Sequence, residues 1–443
     1  MTPAEARDAL RDAWSRTDQI FDMLTPEAWR ARPIPLRHPF VFYLGHLPAF
    51  AFNQVGRGVL TLPSFQPEFD ALFERGIDPL DEAAAAEFSV AEWPPAEQIL
   101  AYRDRVRATL LETVDAVAAR SAGDPLAAGL RIHHVVLEHE LMHQETLLYM
   151  VQALPSSLKR RQPEIPQPAT GPAPATDRIS IPAGRVRLGV DLGALPFAWD
   201  AETGHADLDV PAFAIDNLPV TVGRFAEFVD AGGYSDHRFW RPEAWSWRQR
   251  AGLEHPSGWR RHEHGSFEVA WLLGHLPLSE AASWPAQVSQ GEAAAYARWR
   301  KARLPTEAEL HRAAFTTPDG QTRSYPWGSA PPDPSRGSFD FNRFSPAPVG
   351  STPQGQSAWG VEELVGNGWE HTSTIFAPHP GFEAWIRTYP AYASDFFDGQ
   401  HTVVFGASWA THARLLRPSF RNWYQRQYPY PFTAFRCVYP EVP

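Results

Sequence analysis

Apolar residues recur every three or four positions over four long stretches in the first part of the chain. The stretches cover residues 4–24, 44–60, 96–120 and 130–154. This spacing puts apolar side chains on one face of an α-helix. Four amphipathic helices of such length predict a four-helix bundle, and the cores of these bundles commonly hold metal sites on facing helices.

The helical periodicity stops at residues 155–177, a stretch rich in Pro, Ala and basic residues. After it come short segments separated by Gly, Pro and Trp. Residues 178–190 predict a strand or a hairpin, and residues 213–234 predict a strand that leads into a helix. Residues 291–314 predict two short helices on either side of Pro305. Short mixed elements of this kind indicate an α+β domain with long packed loops.

The two patterns together predict a multidomain α+β protein. We expect a helical bundle over residues 1–154, a Pro-rich linker over 155–177, and an α+β domain over 178–443. Proline fixes φ and removes an amide donor, so the linker should be extended.

Composition narrows the functional classes. The 443 residues are 44% hydrophobic and carry a formal net charge of -11, as in a globular protein without the basic excess that nucleic acid requires. No apolar run reaches about 18 residues, and the amino terminus lacks a signal-peptide core, so we expect a cytoplasmic protein that does not engage a membrane. Cys437 is the single cysteine, which excludes an intramolecular disulfide and a cysteine-rich zinc site.

Histidines in the helical part are candidate metal ligands. His139 and His143 lie four residues apart in LEHELMHQETLLYM, and this spacing places both rings on one helix face. Such a pair alone is a weak signal, because satisfied polar residues show the same spacing. His46 lies in the apolar run YLGHLPAF, where a buried ring needs either a metal or a hydrogen-bond partner. Three histidines would leave coordination positions free, but imidazole does not choose between Zn, Fe, Ni and Cu. Rival ligands with less suitable neighbours are His38, His133 and His134.

Several short motifs in the second part are specific when taken together. They are RLPTEAE at 303–309, YPWG at 325–328, GNGWEHT at 366–372, FGASWAT at 405–411 and RPSFRNWY at 417–424. They resemble the signatures of the formylglycine-generating-enzyme, or sulfatase-modifying-factor, fold, which is a C-type-lectin-like α+β domain. A DinB-like four-helix bundle with an HxxxHxE motif, followed by this domain, resembles the EgtB-type sulfoxide synthases of ergothioneine biosynthesis. The resemblance spans nearly the whole chain, and the wider family includes ovothiol and selenoneine synthases.

The resemblance implies a non-haem iron(II) enzyme. Its metal ligands would be His46, His139 and His143. In that family the iron binds the imidazole of hercynine and the thiolate of a sulfur donor, and it activates O2. The product is a sulfoxide with a new C–S bond on the imidazole ring. The implied partners are therefore hercynine, cysteine or a related thiol or selenol, and O2.

The resemblance also assigns residues of the second part. Tyr389 matches the tyrosine that donates a proton, and Tyr392 matches one that lies near the metal. Asn422 and Trp423 match positions that line the hercynine pocket, where a trimethylammonium group suits an aromatic face. The competing interpretation is that these are ordinary packed aromatic residues in a chain with 17 tryptophans and 12 tyrosines.

Three positions bear on the substrates. Tyr424 stands where members that use γ-glutamylcysteine commonly have Asp, which favours cysteine or another small donor. Met142 replaces a Gln that touches hercynine in the family, and a thioether cannot donate a hydrogen bond. Arg103 shares a helix face with Arg107 and either clamps a substrate carboxylate or belongs to a solvated charged face.

Other functions stay open at this level. A selenoneine- or ovothiol-type synthase would use another donor or attack another ring carbon, C2 or C5. A DinB-like zinc-dependent thiol transferase or hydrolase would use the same three histidines without O2. A binding module would need only the tryptophan-lined pockets. Formylglycine generation is disfavoured, because it uses a pair of cysteines and Cys437 lies alone in the apolar run TAFRCVYP, which favours a buried structural thiol.

Overall fold

The computed structural model describes residues 1–74, 76, 93–162, 164–262 and 265–440. Its contacts divide the chain into two compact units. The first unit comprises Met1–Gln162, Leu195–Phe197 and Trp385–Pro390, and the second comprises Pro163–Ala194, Ala198–Ala384 and Ala391–Pro443. Two short segments that follow the linker in sequence thus belong with the helical unit. Residues 441–443 of the predicted second domain lie outside the described residues, and its predicted limits stay a prediction.

The first unit is helical. Its described α-helices are α1 (Pro3–Asp22), α2 (Phe40–Ala51), α3 (Pro67–Leu72), α4 (Ala96–Ala118) and α5 (Arg131–Ala153). A π-helix, Phe52–Val59, continues α2 directly. Short 3₁₀ turns occur at Pro26–Arg30, Ala128–Leu130 and Ser156–Leu158. The four predicted helices are confirmed, although the second begins earlier than expected and ends in π-helical geometry.

Helix α5 is the central element of the bundle. Nineteen of its residues are buried, so it lacks the polar face of a surface helix. Helix α1 packs on α5, and α2 packs on both α4 and α5. Helix α1 starts with a capping box, in which the Thr2 hydroxyl and the Glu5 carboxylate bond each other's backbone amides.

The second unit contains four small sheets. The described strands are β1 (Arg178–Ile181), β2 (Gly184–Val190), β3 (Gly204–Val210), β4 (Phe213–Asp216), β5 (Trp259–Arg261), β6 (Phe267–Trp271), β7 (Gly274–Pro277), β8 (Gly368–Ile375), β9 (His401–Ala407), β10 (Asn422–Gln425), β11 (Thr433–Ala434) and β12 (Val438–Pro440). Their orders are β1-β4-β12, β10-β9-β8-β11, β2-β3 and β5-β6-β7. Most neighbours are antiparallel, and β11 pairs with β8 in parallel.

The hairpin predicted as one alternative for residues 178–190 is wrong, because the stretch forms two strands that do not pair with each other. Strand β1 pairs with β4 and β2 pairs with β3, so consecutive strands enter different sheets. The Arg312 guanidinium bonds the carbonyl oxygens of Pro182 and Ala183 at the connection between them. These carbonyl oxygens therefore have a side-chain donor in place of a cross-strand amide.

The described residues of the second unit also form six α-helices. They are α6 (Val222–Asp230), α7 (Pro242–Arg250), α8 (Leu278–Ala281), α9 (Gln290–Trp299), α10 (Glu307–Phe315) and α11 (Ala391–Ser394). Helices α9 and α10 confirm the two predicted around Pro305. Helix α10 packs on β2, β3, β8 and β9 through buried residues such as Leu310 and Phe315. Short 3₁₀ turns lie at Asp200–Glu202, His237–Phe239, Pro353–Gly355 and Ala413–Leu415. Within the described ranges, no helix has the length and apolar character needed to cross a membrane.

Candidate metal centre

Helices α2 and α5 bring three histidines together in the core of the first unit. His46 comes from α2, and His139 and His143 come from successive turns of α5. One ring nitrogen from each lies within 4.8 Å of the others, and each residue is at most 6% exposed. Among the described residues, these histidines are the one group of three or more His, Cys, Asp or Glu side chains that lie close enough to share an ion.

The environment keeps the three rings neutral. Burial lowers the pKa of His46 to about 4, against the opposing effect of its bond to the Phe73 carbonyl. Burial first, and the other histidines second, lower the pKa of His139 well below its usual value. The pKa of His143 is lowered for the same reasons, with a contribution from Arg37. Each ring therefore offers a lone pair rather than a positive charge, which is the form that binds a metal.

Hydrogen bonds orient these rings. The Nδ1 atom of His46 lies 2.7 Å from the Phe73 carbonyl oxygen, which can only accept, so Nδ1 carries the proton and Nε2 keeps the lone pair. The Nε2 atoms of His139 and His143 lie 3.1 Å apart. Two neutral rings that turn the same nitrogen toward each other fit a shared cation. The donor set thus suits a divalent transition metal with open positions.

Aromatic side chains enclose the histidines. Phe50 stacks on His139 with ring centroids 3.5 Å apart and an interplanar angle of 8°. Phe42 stacks on His46 at 5.0 Å, and Tyr43 packs at 5.7 Å from the His143 ring. These rings fix the ligand orientations and exclude water from one side of the site.

The rival histidines lie outside this group. The His38 ring packs at a tilt against Phe42, with centroids 4.1 Å apart, and its Nε2 approaches the Gly76 carbonyl oxygen at 3.3 Å. His134 stacks on Phe197 at 5.5 Å. Fully buried His133 is on α5, where burial lowers its pKa to about 4.

Tyr389 belongs to the first unit and lies near the histidines. Its ring centroid is 5.1 Å from that of Phe50 and 6.5 Å from that of His139. The backbone N–H of Tyr389 donates to the Ile386 carbonyl, which closes a tight turn. A residue 250 positions along the chain from His139 is therefore brought beside a candidate ligand.

The other predicted aromatic residues form a cluster in the second unit. Tyr392 on α11 stacks on Trp199 with centroids 4.1 Å apart. Trp423 on β10 stacks on Phe376 at the same distance and meets Tyr392 edge-on at 5.4 Å. Trp423 is only partly buried, so the cluster retains an accessible aromatic surface.

Asn422 and Tyr424 flank Trp423 on β10. The Asn422 Nδ2 atom donates to the Tyr424 hydroxyl at 3.3 Å, and its Oδ1 accepts from the Trp423 amide at 2.8 Å. Tyr424 also stacks on Tyr428 at 6.0 Å. The side chains of Asn422 and Tyr424 thus already bond each other.

A buried ion pair that the sequence motifs did not predict supports β10. The Arg421 guanidinium bonds both Glu307 oxygens, at 2.9 and 3.1 Å, and also bonds the Ala377 carbonyl oxygen. Burial alone would raise the pKa of Glu307, but the Arg421 charge holds it below the usual value. Arg421 also lies 5.0 Å from the Phe376 ring centroid, so it braces the residue on which Trp423 stacks. Glu307 lies in the motif RLPTEAE and Arg421 in RPSFRNWY, so these two motifs were the sequence feature that could have indicated the pair.

The remaining two predicted site residues lie in the bundle. Arg103 is engaged with Asp18, at 3.3 Å, and with the exposed carboxylate of Asp104. The Arg107 guanidinium bonds both oxygens of the same Asp18. Met142 is partly buried on α5, directly before His143. A role for Arg103 or Met142 in substrate binding stays a prediction.

Comparisons with known proteins agree with this architecture. Residues 9–147 match the DinB superfamily, and residues 163–440 match the sulfatase-modifying factor enzyme 1-like domain. The chain is 38% identical to a hercynine oxygenase from Mycolicibacterium smegmatis, over 81% of this chain and 80% of that one. It is 35% identical to a hercynine oxygenase from Mycolicibacterium thermoresistibile, over 95% of this chain and 91% of that one. Ergothioneine biosynthesis protein 1 from Neurospora crassa is 30% identical over 96% of this chain and 56% of its own length.

Both domain matches occur in the predicted order, and the similarity to the bacterial relatives extends over most of both sequences. The predicted fold class, a DinB-like bundle followed by a sulfatase-modifying-factor domain, is thereby confirmed. The chain combines these two domains in one polypeptide, and it belongs to the hercynine oxygenase family.

Proposed function

We propose that this protein is an oxygen-dependent sulfoxide synthase that joins a thiol to the imidazole ring of hercynine in ergothioneine biosynthesis. The observation that carries the proposal is the buried group of three neutral histidines with the Tyr389 ring 6.5 Å from one of them. Its relatives named hercynine oxygenase and ergothioneine biosynthesis protein 1 support the choice of substrate and pathway.

The metal that we propose is iron(II), held by His46, His139 and His143. Three neutral nitrogen ligands leave the ion dicationic, with open positions for an imidazole, a thiolate and O2. When bound, iron(II) supplies the activation of O2 for a four-electron oxidation that forms the C–S bond and the sulfoxide. The oxygen atoms end in the sulfoxide and in water, so the reaction needs no external reductant.

The first unit supplies ligand orientation, water exclusion and a proton. The Phe73 carbonyl holds His46 in the tautomer that leaves Nε2 free. Phe50 covers one face of His139 and also contacts Tyr389 edge-on. The Tyr389 hydroxyl would donate the proton that directs the oxidation toward C–S bond formation.

The aromatic cluster of the second unit suits the trimethylammonium group of hercynine. A quaternary ammonium is attracted to the faces of tryptophan and tyrosine, and Trp423 and Tyr392 present such rings. Asn422, on the same strand as Trp423, offers an amide to the carboxylate of the substrate.

Cysteine is the sulfur donor that we propose. Tyr424 occupies the position at which an acidic residue would pair with the amino group of a larger donor, and its hydroxyl is bonded to Asn422. A cysteine is small enough not to need that carboxylate. Arg103 would have to exchange Asp18 for a substrate carboxylate in order to take part.

The test is O2 consumption by the iron(II)-loaded protein with hercynine and cysteine, together with mass analysis of the product. We expect uptake coupled to a product whose mass equals both substrates plus one oxygen and less two hydrogens. Uptake that yields only oxidised cysteine would reject hercynine as the acceptor. Tight zinc binding without uptake would replace the proposal with a zinc-dependent thiol transfer.

A further inference from the structure

The π-helix that follows α2 is an uncommon element. It spans Phe52–Val59, and the amide of Leu60 still donates to the carbonyl five residues earlier, at Val55. Eight residues of π-helix are rare, and such geometry occurs frequently at functional sites. The widened turn changes which side chains point from the end of α2 toward a neighbouring segment of the first unit.

The π-helix contacts the 385–390 segment, which is Trp385–Pro390. The Gln54 Nε2 atom donates to the Thr388 carbonyl oxygen at 3.1 Å, and Gln54 is 5% exposed. The Arg387 guanidinium donates to the Gly58 carbonyl oxygen at 3.0 Å and pairs with Asp124. The π-helix therefore bonds the main chain of Thr388 and the side chain of Arg387, two consecutive residues.

Gly58 is required by this contact for steric reasons. A β-carbon at residue 58 would lie 2.6 Å from the Thr388 Cγ2 atom. No real β-carbon approaches another carbon so closely, so one of the two residues would have to move. The absence of a side chain at 58 thus lets Thr388 lie against the π-helix.

Tyr389 directly follows Thr388, so these contacts set its position. The Gln54 bond fixes the carbonyl of the peptide unit that leads into Tyr389. Phe50, one turn before Gln54, packs edge-on against the Tyr389 ring and face-on against His139. One continuous helical element therefore holds His46, contacts a second ligand and docks the tyrosine.

Gln54 has one more unusual feature. Its Oε1 atom is buried and has no hydrogen-bond partner among the described residues, although its Nε2 is satisfied. A buried amide that leaves its acceptor unused carries a desolvation cost. Gln54 carries this cost while its Nε2 satisfies the Thr388 carbonyl oxygen, so the bond to the 385–390 segment is what its amide contributes.

We propose that Gln54, on the π-helix, is the positioning residue that holds Tyr389 at the metal centre through its bond to the Thr388 carbonyl. The docking does not depend on the reaction, whereas its catalytic consequence rests on the proposed function. Gly58 provides the space for this docking, and the ion pair between the half-exposed Arg387 and Asp124 reinforces it weakly.

The docking is tested by amide hydrogen exchange in the full-length, metal-free protein. Gln54→Met keeps the shape of the side chain and removes the donor. We expect exchange of amides in the 385–390 segment to become about five- to tenfold faster, the change expected for the loss of one buried hydrogen bond. The matched control is Asn53→Leu, because Asn53 neighbours Gln54 and donates to the Asp70 carbonyl oxygen instead. That control should leave the exchange of the 385–390 segment unchanged.

A second pair of variants keeps the test decisive if Gln54→Met does not fold. Gly58→Ala should also speed exchange of the 385–390 segment, because its methyl group displaces Thr388. Adding Thr388→Ser removes the Cγ2 methyl that it meets and should restore the slow exchange. Unchanged exchange in folded Gln54→Met or Gly58→Ala, or a failure of Thr388→Ser to rescue, would overturn the docking.

The catalytic consequence is tested on the iron(II)-loaded protein with hercynine and cysteine. Gln54→Met should lower the ratio of sulfoxide to oxidised cysteine at full iron content, and it should have no further effect in a Tyr389→Phe background. Asn53→Leu should keep the wild-type ratio. Equal and additive effects in both backgrounds would show that Gln54 does not act through Tyr389. If the wild type forms no sulfoxide, the proposed function fails while the exchange experiment still decides the docking.

Discussion

His46 illustrates how one side chain acquires a chemical role from its surroundings. Its apolar neighbours in YLGHLPAF require burial, burial lowers its pKa to about 4, and the Phe73 carbonyl selects the tautomer. The two histidines of α5 then lie close enough to share an ion. The sequence could predict these three residues because their spacing and apolar context are local features. It could not predict Phe73 or Phe50 as partners, since only the packed helices bring them to the rings.

Removal of one histidine should abolish metal binding. His139→Ala leaves two nitrogen ligands, so affinity should fall by more than the roughly 10- to 100-fold that loss of an outer partner costs. The measurement is metal content after dialysis against a weak chelator. His134→Phe is the control, because it lies on the same helix and keeps the ring that stacks on Phe197. Wild-type metal content in His139→Ala would refute the assigned ligands.

Loss of the Tyr389 hydroxyl should separate metal binding from product choice. Tyr389→Phe keeps the ring that packs on Phe50, so iron content should be unchanged. The rate of sulfoxide formation should fall by roughly 10²- to 10⁴-fold, the usual contribution of a general acid, while cysteine oxidation persists. Product analysis by mass measures both. Tyr149→Phe, which removes a hydroxyl that accepts from Arg37, should keep the product ratio.

Asp200 should make the stability of the second unit depend on pH. Asp200 is fully buried, and burial raises the pKa of its carboxyl group to about 7, against an opposing bond from the Ala201 amide. The folded state then holds a proton that the unfolded state releases above its ordinary pKa of about 4, so stability falls as pH rises. Asp200→Asn should gain about 2 kcal/mol relative to wild type between pH 5 and pH 7.

The measurement is urea unfolding followed by tryptophan fluorescence at several pH values. Asp395→Asn, at an exposed position of the same unit, is the matched control. A constant difference between Asp200→Asn and wild type across this range would contradict the raised pKa.

At the scale of elements, strand β10 depends on helix α10. Arg421, directly before β10, is held by Glu307 at the start of α10, and both side chains are nearly fully buried. A buried pair contributes little net stability, but removal of one partner leaves an uncompensated charge. The pair therefore ties the position of Trp423 to a distant helix.

Glu307→Gln should destabilise the second unit and weaken substrate binding. The expected loss of stability is about 3–5 kcal/mol, and hercynine affinity should fall because Phe376 and Trp423 lose their support. Calorimetry measures both the unfolding and the binding, and metal content should be unchanged. Glu309→Gln is the matched control on the same helix. Its partner Arg303 is half-exposed, so its loss should cost only about 1 kcal/mol or less.

Elements were predictable where a pattern was long or a break was strong. The long amphipathic helices and the two helices around Pro305 are examples. The π-helix was not predictable, because residues 52–59 continue the apolar periodicity of α2. The placement of β1 and β2 in different sheets was also not predictable from the sequence. The side chain that donates to the carbonyl oxygens between them belongs to Arg312, about 130 positions away. Such long-range donors leave no mark on local periodicity.

At the scale of the whole molecule, the reactivity of the single cysteine measures how often the protein unfolds. Cys437 is 1% exposed, and burial together with Asp216 raises the pKa of its thiol. A thiol reagent should therefore react with the native protein only at the rate of unfolding, and quickly in denaturant. The measurement is labelling followed by absorbance. Fast labelling of the native protein would contradict this burial and would reopen a chemical role for the thiol.

The assignment of the 385–390 segment to the helical unit has a consequence for how such proteins can be recombined. A chain cut within the Pro-rich linker would give a bundle that retains three histidines but lacks Tyr389. Chimaeras that exchange the carboxyl-terminal part between relatives would combine the 385–390 segment of one protein with the π-helix of another. The residues at positions 54, 58, 387 and 388 should therefore be transferred together in such exchanges, although they are encoded in two distant stretches of the gene.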